Sequence, residues 1–524
     1  MAPEISPGLR RTIAGAILIS VLVCIGANAL LYTVKACNPL VSADDWVFVD
    51  WIVRKMAAGQ LAFPDLFATR SQFDHAQPLR RLILLLHYRY FDLDFGIAAL
   101  IGVMASFANV GMLWLLVRHG TGRRSEPTAL AMAGFAALSA VYLSLNAPVV
   151  FNWSLLTLGY TSHAFILVFL IASWCAYRHP RPWPLLGVFA AAFAMDVVAD
   201  AVGLITTTAA LLTLAMFGAR RRGLDASIRV SIAALVAYGA YRLLRAVIAL
   251  EYISRSNVPE PSLAARLSRL VDHGGTVVST LGIPFIAPVA HRNQLTWMLG
   301  DALVVGEAAI LGFVLLLHGW FWWRAWRGRH NAAAFVAIAM MWMFYGTVIA
   351  TVVVRLSLYQ PGYLWQPRYV LLYVWNLMAL LLMAISQLPR VDENAQGAAA
   401  LEPGLRPAGQ LVMALGAVLL LGLQVPMSTH SWSTVKYRST YLQRRAAWLD
   451  ELASHPVTNA TPCDAGSGNC GNYVNVARFL RDRQLSVFSP AFRLRNRLYP
   501  TPDTLPLGPP DKRAQRALSN TSSR

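Results

Sequence analysis

Charge is scarce in this chain. Only 14% of its 524 residues are Asp, Glu, Lys or Arg, against about a quarter in a soluble domain. That excludes an ordinary water-soluble globule. Lysine is almost missing, present at Lys35, Lys55, Lys436 and Lys512 alone, so arginine carries the net charge of +19. The sequence has no Walker-type glycine loop, no zinc-ligand spacing among its five cysteines and no internal repeat. These absences set aside a P-loop nucleotide site, a structural zinc site and a repeat architecture.

Hydrocarbon is what the chain has. It is 56% hydrophobic, with a mean hydropathy of +0.48. Apolar runs fall at 12–33, 95–117, 128–149, 161–176, 183–198, 201–217, 228–250, 297–321, 332–354, 369–385 and 411–425. The reading is an all-α polytopic membrane protein of about 11 transmembrane helices. The runs at 161–176 and 411–425 are short, and 183–198 with 201–217 is compatible with one bent hairpin. The first run follows Arg10 and Arg11, exceeds a signal-peptide core and lacks a cleavage site, so it reads as an uncleaved anchor.

Arginines alternate along the loops. Arg118, Arg123 and Arg124, then Arg178 and Arg181, then Arg220, Arg221, Arg222 and Arg229, then Arg324, Arg327 and Arg329 share one side with the N-terminus. The intervening short loops, around 151–160 and 199–200, have no Lys or Arg. This bias expects a cytoplasmic N-terminus and, with an odd span count, a periplasmic or extracellular C-terminus. It also explains the basic balance without nucleic acid.

The expected organisation is a transmembrane domain over 1–427. It includes a first periplasmic loop at 34–94, a second at 251–296 and a cytoplasmic linker at 388–409. A periplasmic C-terminal segment at 428–508 and a disordered tail at 509–524 follow. In the second loop Leu263, Leu267, Leu270 and Val271 recur at helical spacing with Arg266 and Arg269 between them. That pattern suits either an amphipathic helix on the membrane surface or a connecting helix packed on the bundle. Cys24 and Cys175 read as buried small residues. Cys463 and Cys470 either close a small disulfide ring or remain free thiols.

Charges at the mouths of spans need a reason. Asp44 and Asp45 follow the first span, and Asp74, His75, Arg80 and Arg81 precede the second. Asp196 and Asp200 end a span pair, Arg242 and Arg245 lie on one face of a span, Arg355 ends the ninth run and Arg368 begins the tenth. Nearly all fall on the side of the first loop. A carboxylate there can act as general base, and arginines with a histidine can hold a phosphate. Solvated loop acids are the simpler account of Asp50 and Asp65. Headgroup contact is an equal account of Arg242 and Arg245. His163 reads as a satisfied core histidine, and Trp320, Trp322 and Trp323 as an interfacial belt.

The order of one span, an acidic outer loop, many spans and an outer C-terminal segment resembles the GT-C glycosyltransferase superfamily. The likeness is greatest to little-characterised bacterial members with a Glu-His-Arg type motif and a following Arg-Leu pair in that loop. Here the stretch reads DHAQPLRRL, with Asp74 for the Glu, His75 matching and Ala76 in place of the Arg. Arg368-Tyr369 and the stretch Phe479 to Ser489, FLRDRQLSVFS, fit the same group. The resemblance implies a bacterial inner-membrane enzyme that moves a sugar from a polyprenyl-phosphate donor to a glycan, lipid or protein acceptor. It assigns catalysis to Asp44, with Asp45 as the alternative. It gives Asp74, His75, Arg80, Arg245, Arg368 and Tyr369 to the donor. No dedicated metal ligands are expected, although a divalent cation between phosphate and carboxylate is compatible. A transporter or flippase of a lipid-linked or anionic solute, and a polysaccharide ligase or polymerase, are the competing expectations.

Overall fold

The structure, a computed structural model, describes residues 7–42, 44–69, 75–119, 128–221, 223–248, 262–285, 301–355, 364, 366–388, 407–454 and 470–498. Among them the regular structure is helical. The helices are α1 (Pro7–Ala36), α2 (Asp45–Phe48), α3 (Arg54–Ala57), α4 (Pro78–Tyr90), α5 (Phe95–His119), α6 (Ala129–Tyr142), α7 (Val149–Asn152) and α8 (Ser154–Thr157). There follow α9 (Gly159–Arg178), α10 (Pro182–Val198), α11 (Asp200–Arg221), α12 (Leu224–Val247), α13 (Leu263–Asp272) and α14 (Gly274–Ser279). The last are α15 (Asp301–Arg327), α16 (Ala332–Arg355), α17 (Pro367–Ser386), α18 (Pro407–Val435), α19 (Arg438–Ser454), α20 (Cys470–Asp482) and α21 (Pro490–Asn496).

Eight of the described helices are long and apolar enough to cross a membrane, and three shorter apolar ones, Ala129–Tyr142, Pro182–Val198 and Leu371–Ser386, accompany them. This is a multi-pass membrane protein. Helix α1 carries Ile13, Ile17, Ile19 and Val23 on its open surface, an arrangement that is stable only against hydrocarbon. Cys24 and Cys175, expected inside, are exposed on helix surfaces; a small apolar side chain costs nothing there in lipid. The bundle core is centred on α16, where Ala333 to Met341 are all buried. Helix α17 packs along it, α6 contacts α17, α18 and α1, and α10 lies between α9 and α12.

Two boundaries differ from the hydropathy reading, and a third keeps its place. Helix α6 stops at Tyr142 rather than near 149, and the chain passes through turns to Pro148 before α7 begins. The runs 183–198 and 201–217 are two helices that reverse at Ala199, where Gly203 lies against Asp196 so closely that a Cβ would stand 2.2 Å from the carboxylate. The run at 411–425 belongs to a helix that continues through Pro426 to Val435. Asn28 donates to Ser428 Oγ and accepts from Trp432 Nε1, at 3.0 and 2.8 Å, which fastens that extension to α1. The expected linker meets this helix at Pro407, and its residues 389–406 lie outside the described ones, as do the tail at 509–524 and Cys463.

Helix α13 forms as its spacing predicts, capped by Ser262 Oγ accepting from the Ala265 N–H at 3.2 Å. Its Leu267 and Val271 are exposed, the latter by 80%.

The first loop and the C-terminal segment build one hydrophobic core. Leu40, Val41, Trp46, Val49, Val53, Leu93 and Phe95 pack with Leu442, Leu449, Leu452, Val474, Val476, Leu480, Val487 and Phe492. Trp46 is 2% exposed and meets Trp448 and Tyr473 edge-on, with ring centroids 6.0 and 4.9 Å apart. Polar ties reinforce the joint. Arg438 donates twice to the Cys37 carbonyl, and Arg495 bridges Asp92 and Asp94. Trp46→Ala should cost about 3–5 kcal/mol. A lower melting temperature in detergent, with earlier proteolysis of the 438–498 segment, is the expected outcome.

Candidate active site

The site begins with four residues. Helix α2 is a single turn followed by a π-helical turn, Val49–Val53, a feature that often marks functional positions. Trp46 is held in the core just described. One residue back is about 100° around the helix, so Asp45 faces away from that core. Its carboxylate is 5% exposed. It accepts from Trp153 Nε1 at 3.4 Å and from Ser42 Oγ at 3.5 Å. Burial pushes its pKa up to about 7, and the Trp153 bond works against that rise. Asp44 is half-buried and starts the helix without a side-chain cap.

Helix α4 supplies the facing wall. Pro78 opens it, where a missing N–H costs nothing. Arg80, Ile83, Leu84 and His87 follow at the spacing of one helical face. With Asp45, Phe48, Gln77 and Arg81 they line a narrow cleft that opens to the outside. The remaining wall is Phe95 and Ala98 from α5, with Ser154, Leu155 and Leu158 from the turn before α9. The cleft is amphiphilic, with a carboxylate and a guanidinium on otherwise apolar walls.

Arg80 donates to Gln77 Oε1 at 3.0 Å. Burial lowers its pKa to about 10, with the Asp45 and Asp44 charges opposing, so it stays cationic at neutral pH. Arg81 is 2% exposed and stitches the loop together, donating to the Leu66 carbonyl at 2.6 Å and lying over the Phe48 ring. The turn holding Trp153 is fixed by Thr157, whose hydroxyl donates to the Val150 carbonyl at 2.6 Å. It sits directly on Gly102, where a Cβ would stand 2.2 Å from the Thr157 carbonyl oxygen. Only glycine permits that approach.

The other expected residues divide. His75 is half-buried. Beside it the Ala76 N–H donates to Asp200 Oδ2 at 2.9 Å, and Arg245 Nη1 binds that same oxygen at 2.6 Å. Arg245 thus pairs with Asp200, and the pair ties the His75–Arg81 stretch to α11 and α12. Asp196 is fully buried nearby, with no hydrogen-bond partner on either oxygen. Tyr369 is 7% exposed, in the first turn of α17. The same turn leads to Leu371, which touches Gly159 close to Arg80: a Cβ there would lie 2.8 Å from Leu371 and 3.8 Å from Arg80 Nη2. The side chain of Arg368, and the whole of Asp74, lie outside the described residues.

One expectation changes. Asp65 is no solvated loop acid. It is 6% exposed, pairs with Lys55 Nζ at 2.9 Å and accepts the Ala62 N–H at 2.8 Å, so it folds the loop. Asp50 does pair at the surface, with Arg54. His163 is a core histidine, bonded through Nδ1 to Tyr142 Oη at 3.1 Å. His87, Gln77, Ser154 and Trp153 went unnoticed in the sequence. His87 was detectable as the residue seven after Arg80 on one helical face; Trp153 comes from a distant turn and carries no local signal. Asp45 is the single carboxylate among the described lining residues, so this wall alone does not form a cation cage.

No family model matches the chain, and no curated protein matches it in sequence. Among solved structures, the crystal structure of ArnT from Cupriavidus metallidurans bound to undecaprenyl phosphate matches at 14% identity and a TM-score of 0.42, over 91% of this chain and 88% of that one. A likeness of that degree transfers no residue roles.

Two outcomes follow from the site's packing and charge. Gly102→Ala should cost about 1–3 kcal/mol by forcing α5 off the Trp153 turn. Gly111→Ala on the same helix, where nothing lies within 4 Å, should be neutral or slightly stabilising; melting temperatures of the two variants check this. Asp45 holds its proton more tightly folded than unfolded, so its contribution to stability declines as pH rises from the ordinary carboxylate range through about 7. Asp45→Asn should therefore flatten the pH dependence of the melting temperature between pH 4 and about 7 and raise it at pH 8.

Proposed function

We propose that this chain is a GT-C-type glycosyltransferase of a bacterial inner membrane, acting on the periplasmic side. It moves a sugar from a polyprenyl-phosphate donor to a cell-surface acceptor, which is a glycan, lipid or protein. The observation that carries this reading is one amphiphilic cleft, at the end of the bundle bearing the first loop, whose wall holds both the buried carboxylate of Asp45 and the half-buried guanidinium of Arg80. Apolar walls suit an isoprenoid tail, and Arg80 suits its phosphate. Arginine placement along the chain supports the side assignment.

In this reading Asp45 is the base. It takes the proton from the acceptor hydroxyl or amine as that group attacks the anomeric carbon. The bond from that carbon to the phosphate oxygen breaks, and its electron pair leaves with the polyprenyl phosphate, held by Arg80. A carboxylate whose pKa stands near 7 is a stronger base than an ordinary one and is still ionised in good part at neutral pH. Asp45 is favoured over Asp44 because it lines the cleft. Carriage of a solute through the bundle is disfavoured by the Ala, Met and Phe packing of α16.

The test is transfer from labelled polyprenyl-phosphate sugars by protein purified in detergent. Asp45→Asn should lower turnover by about 10²–10⁴-fold while lipid binding persists, and wild-type turnover should rise with pH through about 7. Arg80→Gln should weaken binding of polyprenyl phosphate. Full turnover in Asp45→Asn would remove the assigned base.

A further inference from the structure

His87 lines the cleft without a role in the chemistry above. It is 2% exposed, and its Nε2 is buried with no hydrogen-bond partner. A buried polar atom in that state is uncommon in a folded protein. It becomes intelligible when something bound in the cleft completes it. The other side of the ring is occupied, packed edge-on against Phe91 at 5.7 Å and bonded by the main chain of Asp94.

Which kind of atom would complete it follows from the proton. Since Nε2 has no partner, the bond to the Asp94 main chain is made by the other ring nitrogen, which carries the proton and leaves Nε2 as an acceptor. Burial favours the neutral ring. A neutral acceptor repels a phosphate oxygen and takes an O–H or N–H. The position also matters. His87 follows Arg80 by seven residues on α4, two turns or about 10 Å along the same face. That separation is of the order of a phosphate followed by a sugar ring.

We propose that His87 forms the sugar subsite of the cleft, its Nε2 accepting a hydrogen bond from a hydroxyl of the sugar attached to the donor lipid. This rests on the glycosyltransferase reading and adds to it a residue that recognises the sugar rather than the phosphate. His87 binds and orients; it neither gains nor loses a proton in the reaction.

The experiment measures binding to purified full-length protein of three probes: polyprenyl phosphate alone, polyprenyl-phosphate pentose and polyprenyl-phosphate hexose. Wild type should bind at least one sugar-bearing lipid about 10-fold more tightly than the bare lipid, the worth of one buried hydrogen bond. His87→Phe should hold bare lipid as wild type does and lose that preference. The bare-lipid measurement also confirms that the variant folds. His87→Gln, which keeps an acceptor, should retain part of the preference. A preference unchanged in His87→Phe, or no preference in wild type, overturns the sugar subsite while leaving the lipid-phosphate site standing. Wild type that binds none of the three overturns the glycosyltransferase reading itself, and the subsite with it.

Discussion

Trp46 is the wedge on which the site depends. It is driven into a core made by the two ends of the chain, between Trp448 and Tyr473. Because Asp45 precedes it on the same short helical turn, fixing one side chain orients the other. Burial of an indole is favourable; burial of a carboxylate is not. The apolar core thus supports an acid in surroundings that it would otherwise leave for water. The raised proton affinity of Asp45 follows from that trade.

The same end of the bundle holds two acid–base groupings with different fates. Asp200 and Arg245 satisfy one another and take up a loop N–H besides. That arrangement holds the chain between His75 and Arg81. Asp45 and Arg80 sense one another's charge, yet Arg80 bonds Gln77 and Asp45 bonds Trp153. Such charges, neighbouring and not mutually consumed, are what a polar ligand needs.

Much of this was legible in the chain. The helical membrane fold follows from hydropathy alone, and α13 from its spacing. The first loop stood out through its acids, and Asp45 and Arg80 were among its candidates. What hydropathy could not show was packing. Asp44 and Asp45 are equivalent as letters and separate only when Trp46 has a partner more than 400 residues away, Trp448. Asp65 resembled a solvated acid because its lysine, Lys55, is ten positions distant on another turn. Arg245 read as an anion binder because Asp200 could equally have faced elsewhere. Gly102 looked like any helical glycine until the Thr157 carbonyl was found against it.

The shared core of the first loop and the C-terminal segment bears on synthesis. Leu442, Leu449, Val474, Leu480 and Phe492, which enclose Trp46, are synthesised about 400 residues after it. Until they emerge, the Trp46 indole has no apolar partner on that side. The turn that presents Asp45 is therefore clamped only after every helix between the two segments has been made.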